Sequence, residues 1–484
     1  MSELSSQAKR VLATLTAPPD APADVDLALV VAVLDGDEET AQLVFAELLH
    51  NGALIEHGGR YKVADVIAAE ATSTWLTDRA VIACRKIEPF ARHLSPAFDI
   101  PGSSLFDTRA DAINWFDTNH DVLMALLPDL IERQWFELCA TLAEAVVGLA
   151  RYTGRQHDQE SAAQYGLLAV NRLHWNAVAV ATSAEGEQRE QRHHLRMSVF
   201  GAWLGLARTS QGDVDNALKA LATAEDHARR ADDDQAVATV LSVRAITYRA
   251  AGKTAAAEQE IRDALAIDLV FADPRRIAIR RRHLGNILSD QQRHDEAFTE
   301  LHQAAVLFTS LGDPVGHACV LIDTAAAMLA AGRSSESFTP LVNALDALKR
   351  SAAPRYEARA YAQLARSSRA TGSDVATAEY YADAVTHYRL AHDNATADAI
   401  EAERIQMQLD GASDEARTLA QKIENQFGIS GPNAVRIALA WEEVDELTTV
   451  DQFADTIEHD GLNDTEYDTY DVVKFIAAEN GYRI

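Results

Sequence analysis

Between Leu284 and Ala304 the chain reads LGNILSDQQRHDEAFTELHQA. Apolar residues recur at helical spacing on either side of a polar centre at Asp290–His294, so two helices joined by a short turn are expected. Gly285, Ala297 and Ala304 are small where Leu301 is large, and these offsets recur outward in both directions. The turn position falls on Gly212, Gly252, Gln292, Gly332 and Gly372, each 40 residues after the last. Seven residues before each turn stand Gly205, Ala245, Gly285, Ala325 and Ala365. Five residues after it stand Ala217, Ala257, Ala297, Ser337 and Thr377. Four further on are Leu221, Ile261, Leu301, Leu341 and Tyr381, and three beyond those are Ala224, Ala264, Ala304, Ala344 and Ala384. A helical hairpin needs small residues where its helices cross closely, and a turn former that accepts a left-handed conformation between them.

The offsets resemble those of tetratricopeptide repeats, whose pattern L-G-x2-Y, then A-x3-F, then A is met in place by Leu284-Gly285, Tyr248, Ala297-x3-Leu301 and Ala304. The usual repeat is about 34 residues. A period of 40 residues therefore implies longer helices. Weaker hairpins are expected around Gly148, Ala163 and Leu167, before an irregular stretch from Ala177 to Glu190, and at Gly411 with Ala416 and Ala420. The expected fold is all-α, a tetratricopeptide-repeat superhelix.

Composition agrees. The 484 residues are 48% hydrophobic, and only 12 are Pro and 23 Gly, the two types that break helices. A formal net charge of −29 argues against general binding to nucleic-acid phosphates or an anionic membrane surface. The three cysteines, Cys84, Cys139 and Cys319, lie far apart and form neither a disulfide framework nor a CxxC metal site. No secretory leader is read in Met1–Pro18 and no window is apolar enough to span a bilayer, so a cytoplasmic chain is expected.

Residues 25–75 follow another pattern. Leu27, Val30, Val31 and Leu34 have helical spacing, and a second helix runs from Glu38 through Val44, Phe45, Leu48 and Leu49. Two short strands around His57-Gly58-Gly59 follow, the order of a winged helix. Arg60-Tyr61-Lys62-Val63-Ala64-Asp65-Val66 resembles the R-Y-x-M-H-D-L wing, and Ala112-Ile113-Asn114-Trp115-Phe116-Asp117 with Leu123 resembles the linker, of actinobacterial AfsR-type regulators of the STAND class. The resemblance covers roughly residues 25–425 and implies a winged helix leading into tetratricopeptide repeats. The family's nucleotide-contacting His is replaced by Ala64, and too few residues precede the winged helix for a nucleotide-binding domain. The resemblance thus implies the sensor half of such a regulator, with no nucleotide and no cofactor. The expected organisation is a lead-in over 1–24, a winged-helix-like domain over 25–75, a helical linker over 76–134, the repeat array over 135–430 and an acidic helical segment over 431–484.

Candidate chemistry is sparse. Gly252-Lys253-Thr254 imitates the end of a phosphate loop, but Thr247 stands at the first glycine position and the preceding stretch reads as helix, so a turn is expected. His193-His194 and His283 lack the i,i+4 partners of a zinc site, and no hydrolase signature is placed; no catalysis and no metal are expected. The second winged-helix helix carries Glu38, Glu39 and Glu47 and no basic residue, so DNA is not the expected partner, although a DNA-binding regulator is the alternative function.

The run Arg275, Arg276, Arg280, Arg281, Arg282 points elsewhere. Tetratricopeptide register, with Gly285 at position 8 of its first helix, puts Ile279, Arg282, Asn286, Ser289 and Asp290 on the groove side. In related repeats that clamp a peptide carboxylate, a basic residue and an Asn at the Arg282 and Asn286 positions do the holding. The same register brings Arg249, Arg359, Arg366 and Arg369 to the groove. Guanidinium pairs bidentately with carboxylates, so the expected function is a non-enzymatic regulator or adaptor holding an acidic peptide or protein. The competing reading is a groove ion-paired with its own Asp and Glu. Oligomeric state is not legible. After Gly431, Trp441, Phe453 and Phe475 stand among many acidic residues; two or three short helices are expected, either capping the last hairpin or shielding the groove.

Overall fold

The computed structural model describes residues 38–50, 54–57, 60–63, 65–89, 93–99, 105–177, 183–411, 413–427 and 469–479, with isolated residues between. Two compact units are formed, Met1–Asp313 and Pro314–Ile484.

Helices start where the sequence supplies caps. The carboxylates of Asp213, Asp233 and Asp273 accept backbone N–H groups of the first turns that follow them. Pro274, Pro314 and Pro354 each open a helix, where a missing N–H costs nothing. In the first unit, α1 (Glu38–His50), β1 (Leu54–His57), β2 (Arg60–Val63), α2 (Asp65–Ile87) and α3 (Arg109–Glu132) precede the hairpins α4–α5 (Phe136–Thr153, Gln156–Ala177), α6–α7 (Ser183–Ser210, Val214–Arg230), α8–α9 (Asp234–Ala250, Thr254–Phe271) and α10–α11 (Pro274–Asp290, His294–Ser310). The second unit holds α12–α13 (Pro314–Ala330, Phe338–Ser351), α14–α15 (Pro354–Thr371, Asp374–Leu390), α16–α17 (Asn394–Gly411, Asp414–Phe427) and α18 (Thr469–Glu479).

Each expected turn is where the 40-residue spacing placed it. Gly212, Gly252, Gln292, Gly332 and Gly372 all have φ between 62° and 80°. After them the N–H of residues 213, 253, 293, 333 and 373 returns to the carbonyl five residues back, closing the last helical turn. Gly252-Lys253-Thr254 is such a turn, between two helices. A second series was not read from sequence: Asp232, Ala272, Gly312, Ala352 and His392 are also left-handed, so a reversal falls every 20 residues. At the crossings Ala217, Ala257, Ala297, Leu221, Ile261 and Leu301 are buried, and a Cβ on Gly285 would lie 2.7 Å from Leu301 Cγ. Helix-to-helix contact at that distance leaves no room for a larger side chain.

The N-terminal strands pair antiparallel with Leu54 opposite Val63, behind α1 as expected. Val30 and Leu34 pack with Val44, Leu48 and Leu54. The rest of the first helix, the Gly58-Gly59 turn and Ala64 lie outside the described residues, so the winged-helix assignment belongs to the proposals below. The linker motif lies on α3, which begins with a capping box between Thr108 and Asp111. One expectation is corrected: the stretch Ala177–Glu190 is not irregular throughout, because α6 already starts at Ser183. The hairpin expected around Gly148, Ala163 and Leu167 is α4–α5, which turns at Gly154, and Gly148 lies against α2 with its missing Cβ 2.6 Å from Cys84 Sγ. All three cysteines are free and buried, and burial pushes the Cys139 thiol up to about 12.

In the acidic segment, α18 lays Val472, Val473 and Ile476 against Leu419, Ala420, Ile423 and Phe427 of α17, with Trp441 and Phe475 packed at the edge. That is the capping arrangement; Phe453 lies outside the described residues.

Gln292 is exposed and left-handed where its four counterparts are Gly. A left-handed conformation costs a side-chain-bearing residue about 1–2 kcal/mol, partly offset by the flexibility that Gly adds to the unfolded chain. Gln292→Gly is therefore expected to stabilise the first unit by about 0.5–1 kcal/mol, read as a higher urea midpoint with an unchanged slope.

Candidate functional site

The first helices of successive hairpins pack side by side: α6 on α8, and α8 on α10. The C-terminal half of α6 and the N-terminal halves of α8 and α10, with α4 and the segment after α2, line a cavity of about 350 Å³. Asp273 caps α10 and so fixes where Arg275, Arg276, Ile279 and Arg280 emerge. Asp268, fully buried on α9, accepts from Arg276 Nε at 2.8 Å and Arg280 Nε at 2.9 Å. One carboxylate thus serves two guanidinium groups. Burial pulls the Arg280 pKa down to about 10, which leaves it charged at neutral pH. Arg276 also reaches Thr239 Oγ1 on α8 at 3.0 Å, and Arg275 lies 3.5 Å from Asp313. Across the cavity Arg151 pairs with Glu88, and buried Glu144 accepts from the backbone of Leu94 (2.7 Å) and Ser95 (3.0 Å), tying that segment to α4. Trp203 and Ile279 supply apolar lining. Four arginines stand in this lining with Glu88, Glu144 and Asp273, and Asp268 and Asp313 pair with three of them from behind.

Of the groove candidates read from the sequence, Ile279 lines this cavity, as do Arg275, Arg276 and Arg280 of the basic run. Arg282 and Asn286 continue along α10, the second of them buried, and Arg281 pairs with Glu300 at 2.6 Å. Arg249 and Asp290, both groove candidates, bind each other through two hydrogen bonds, at 2.5 and 3.1 Å. In the second unit Arg359 pairs with Asp323, Arg366 with Glu403 at 2.9 and 2.6 Å, and Arg369 with Asp410 at 2.6 Å. The Glu403 hydrogen bond is the main influence that raises the Arg366 pKa above its ordinary value. These four pairs join first helices of neighbouring hairpins, 36 to 41 residues apart in sequence. Ion pairing within the face, the competing reading, is what these four arginines display. The cavity residues Arg151, Trp203, Arg275, Arg276 and Arg280 were not named as groove residues; the basic run was visible, and its partner Asp268 on the preceding helix was the missing signal.

Residues 197–269, from α6 into α9, match the tetratricopeptide repeat family. The hairpins α6–α7 and α8–α9 are thus similar to tetratricopeptide repeats. No curated protein matches the sequence. Among solved structures, the chain is similar to a STAND protein with a tetratricopeptide repeat sensor from Pyrococcus horikoshii, at 13% identity and a TM-score of 0.46; the match covers 99% of this chain and 63% of that one, under two thirds of its length. A Rap protein complexed with competence and sporulation factor matches at 14% identity and a TM-score of 0.43, covering 74% of this chain and 95% of that one. BtubC from P. vanneervenii matches at 16% identity and a TM-score of 0.37, covering 49% and 92% respectively. No helix among the described residues is long and apolar enough to cross a membrane.

A second cluster lies where α5, α6 and α7 meet. His193 stacks on His174 with ring centroids 4.2 Å apart, and His194 Nδ1 lies 2.7 Å from His227 Nδ1. Burial, then the neighbouring rings of His174, His194 and His227, holds the His193 pKa down to about 4, against a small opposing pull from Glu190. Burial and His194 also lower His227, with Arg230 adding to the effect and Asp226 opposing it. Arg189, Arg192 and Arg196 flank the cluster, and Arg196 is paired with Glu137. Below the ordinary imidazole pKa the unfolded chain binds these protons and the folded chain does not. Stability is then complete above about pH 6.5 and is lost as pH falls from about 6.5 toward about 4. Melting temperatures at pH 7.5, 6 and 5 are expected to fall steadily, with a shallower slope in His193→Gln.

Proposed function

We propose that the chain is a non-enzymatic regulator or adaptor whose first unit holds a peptide or protein partner against the cavity lined by α4, α6, α8 and α10. Tetratricopeptide repeats are an interaction scaffold, and their stacked first helices offer a continuous side-chain surface to a ligand. The observation that carries the reading is the cavity itself: Trp203 and Ile279 beside four arginines, in a chain otherwise strongly acidic. Arg276 and Arg280 share the single carboxylate of Asp268, and an acidic group on the partner suits this pair of guanidinium groups. The arginine pairs Arg249–Asp290, Arg359–Asp323, Arg366–Glu403 and Arg369–Asp410 are assigned to holding neighbouring repeats in register, with Arg282 extending the docking surface along α10 above the buried Asn286. The AfsR-type ancestry, the winged helix over 25–75 and a cytoplasmic setting form part of the same proposal; α1 with its Glu38, Glu39 and Glu47 supports a structural role for that domain over DNA binding.

Ile279 is half-buried at the cavity wall, so Ile279→Asp is tolerated by the fold and hostile to an apolar or acidic ligand. Partners captured from the native cell by the wild-type chain are expected to bind Ile279→Asp at least tenfold more weakly, about 1.4 kcal/mol, with the melting temperature unchanged. Equal affinity for folded wild type and Ile279→Asp would remove the cavity from the account.

A further inference from the structure

The hairpin α6–α7 carries a feature that peptide docking does not use. Antiparallel return of α7 brings His227 beside His193 and His194 of α6, and donor atoms of the three rings all lie within 4.8 Å of one another. We infer that His193, His194 and His227 form a binding site for a divalent transition-metal ion of the zinc class.

Three observations converge on it. His194 Nδ1 and His227 Nδ1 face each other at 2.7 Å, a contact in which one nitrogen must present a lone pair. His193 Nδ1 is buried and has no hydrogen-bond partner, which strands a good donor atom next to that pair. Glu190, one turn earlier on α6, places Oε1 3.3 Å from His194 Nε2 and Oε2 3.7 Å from His174 Nδ1. A carboxylate on the far nitrogen fixes the tautomer that leaves Nδ1 free to ligate, the usual support of a metal-bound imidazole. The low pKa of His193 agrees, since a neutral ring is the ligand form.

The chemistry selects the ion. Imidazole nitrogen suits zinc, copper, nickel and cobalt, whereas calcium and magnesium take oxygen ligands. Arg189, Arg192 and Arg196 around the adjoining cavity of about 230 Å³ repel a loosely held cation, so only an ion that bonds the nitrogens directly is retained. Zn–N bonds of about 2.0–2.1 Å in tetrahedral geometry place ligand nitrogens about 3.4 Å apart, so the 2.7 Å contact opens slightly and the wider spacings close. His193 lines the cavity, which gives the ion its way in and leaves room for a water as fourth ligand. The bound ion ties the two helices of the hairpin where the matched repeats begin.

Tag-free full-length protein, stripped with a chelator, is titrated calorimetrically with zinc chloride alone. One ion per chain with micromolar or tighter affinity is expected. His227→Gln and His193→Gln, both at half-exposed positions, should each weaken binding at least tenfold, while the exposed His302→Gln, on α11, leaves it unchanged. Cobalt(II) should give visible absorption bands of nitrogen coordination in wild type that His227→Gln removes. Absence of saturable zinc binding, or binding that folded His227→Gln and His193→Gln retain at full strength, overturns the site. Because the cavity at Ile279 is not involved, this test succeeds or fails independently of partner binding.

Discussion

Two helices that cross at small side chains can approach to backbone contact, and everything else in the array follows from that approach. Gly285 against Leu301 shows the tolerance, with 2.7 Å to a Cβ that is not there. The crossing fixes which face of each helix is buried, so Ala217, Ala257 and Ala297 are buried at equivalent places in successive hairpins. Chain reversals then have to fall at a fixed distance from each crossing, and they do, every 20 residues. Ala-rich crossings give up side-chain volume, and the large residues one turn away, Leu221, Ile261 and Leu301, restore a close-packed interior.

With the crossings buried, polar groups are left on the first-helix faces, and stacking brings them together across neighbouring repeats. Arg249 meets Asp290, and Arg366 meets Glu403, each one repeat along. Such partly exposed pairs contribute about 0–1 kcal/mol each, so their main effect is on register and on charge balance. They explain how a chain of net charge −29 keeps arginines on this face without leaving them as bare cations. In the first unit, Arg276 and Arg280 depart from one-to-one pairing by sharing Asp268, and the two guanidinium groups sit beside Trp203 and Ile279.

The period was legible because Gly at the turns and Ala or Gly at the crossings are the residues the geometry demands. The second series of reversals was not, since Asp232, Ala272, Gly312, Ala352 and His392 share no residue type that would mark a period. For the arginines, register assigned the right helices. It did not pair them, although Arg249 and Asp290 were both in view, because a spacing of 41 residues becomes a contact only once repeats stack. The histidine cluster escaped for the same reason: rules of local spacing inspect one helix, and His194 finds His227 33 residues away on the returning one. The strands at Leu54–His57 and Arg60–Val63 were readable as two short runs on either side of the Gly58-Gly59 junction.

The central claim is that a partner docks on the first-helix face of the first unit at the cavity. Site-specific photocrosslinking tests it most directly, with a photoreactive residue placed at Ile279 in the cavity wall or at Val306, exposed on the second helix α11. The account predicts covalent capture of the partner from position 279 and none from 306. Capture from 306 with none from 279 would contradict it.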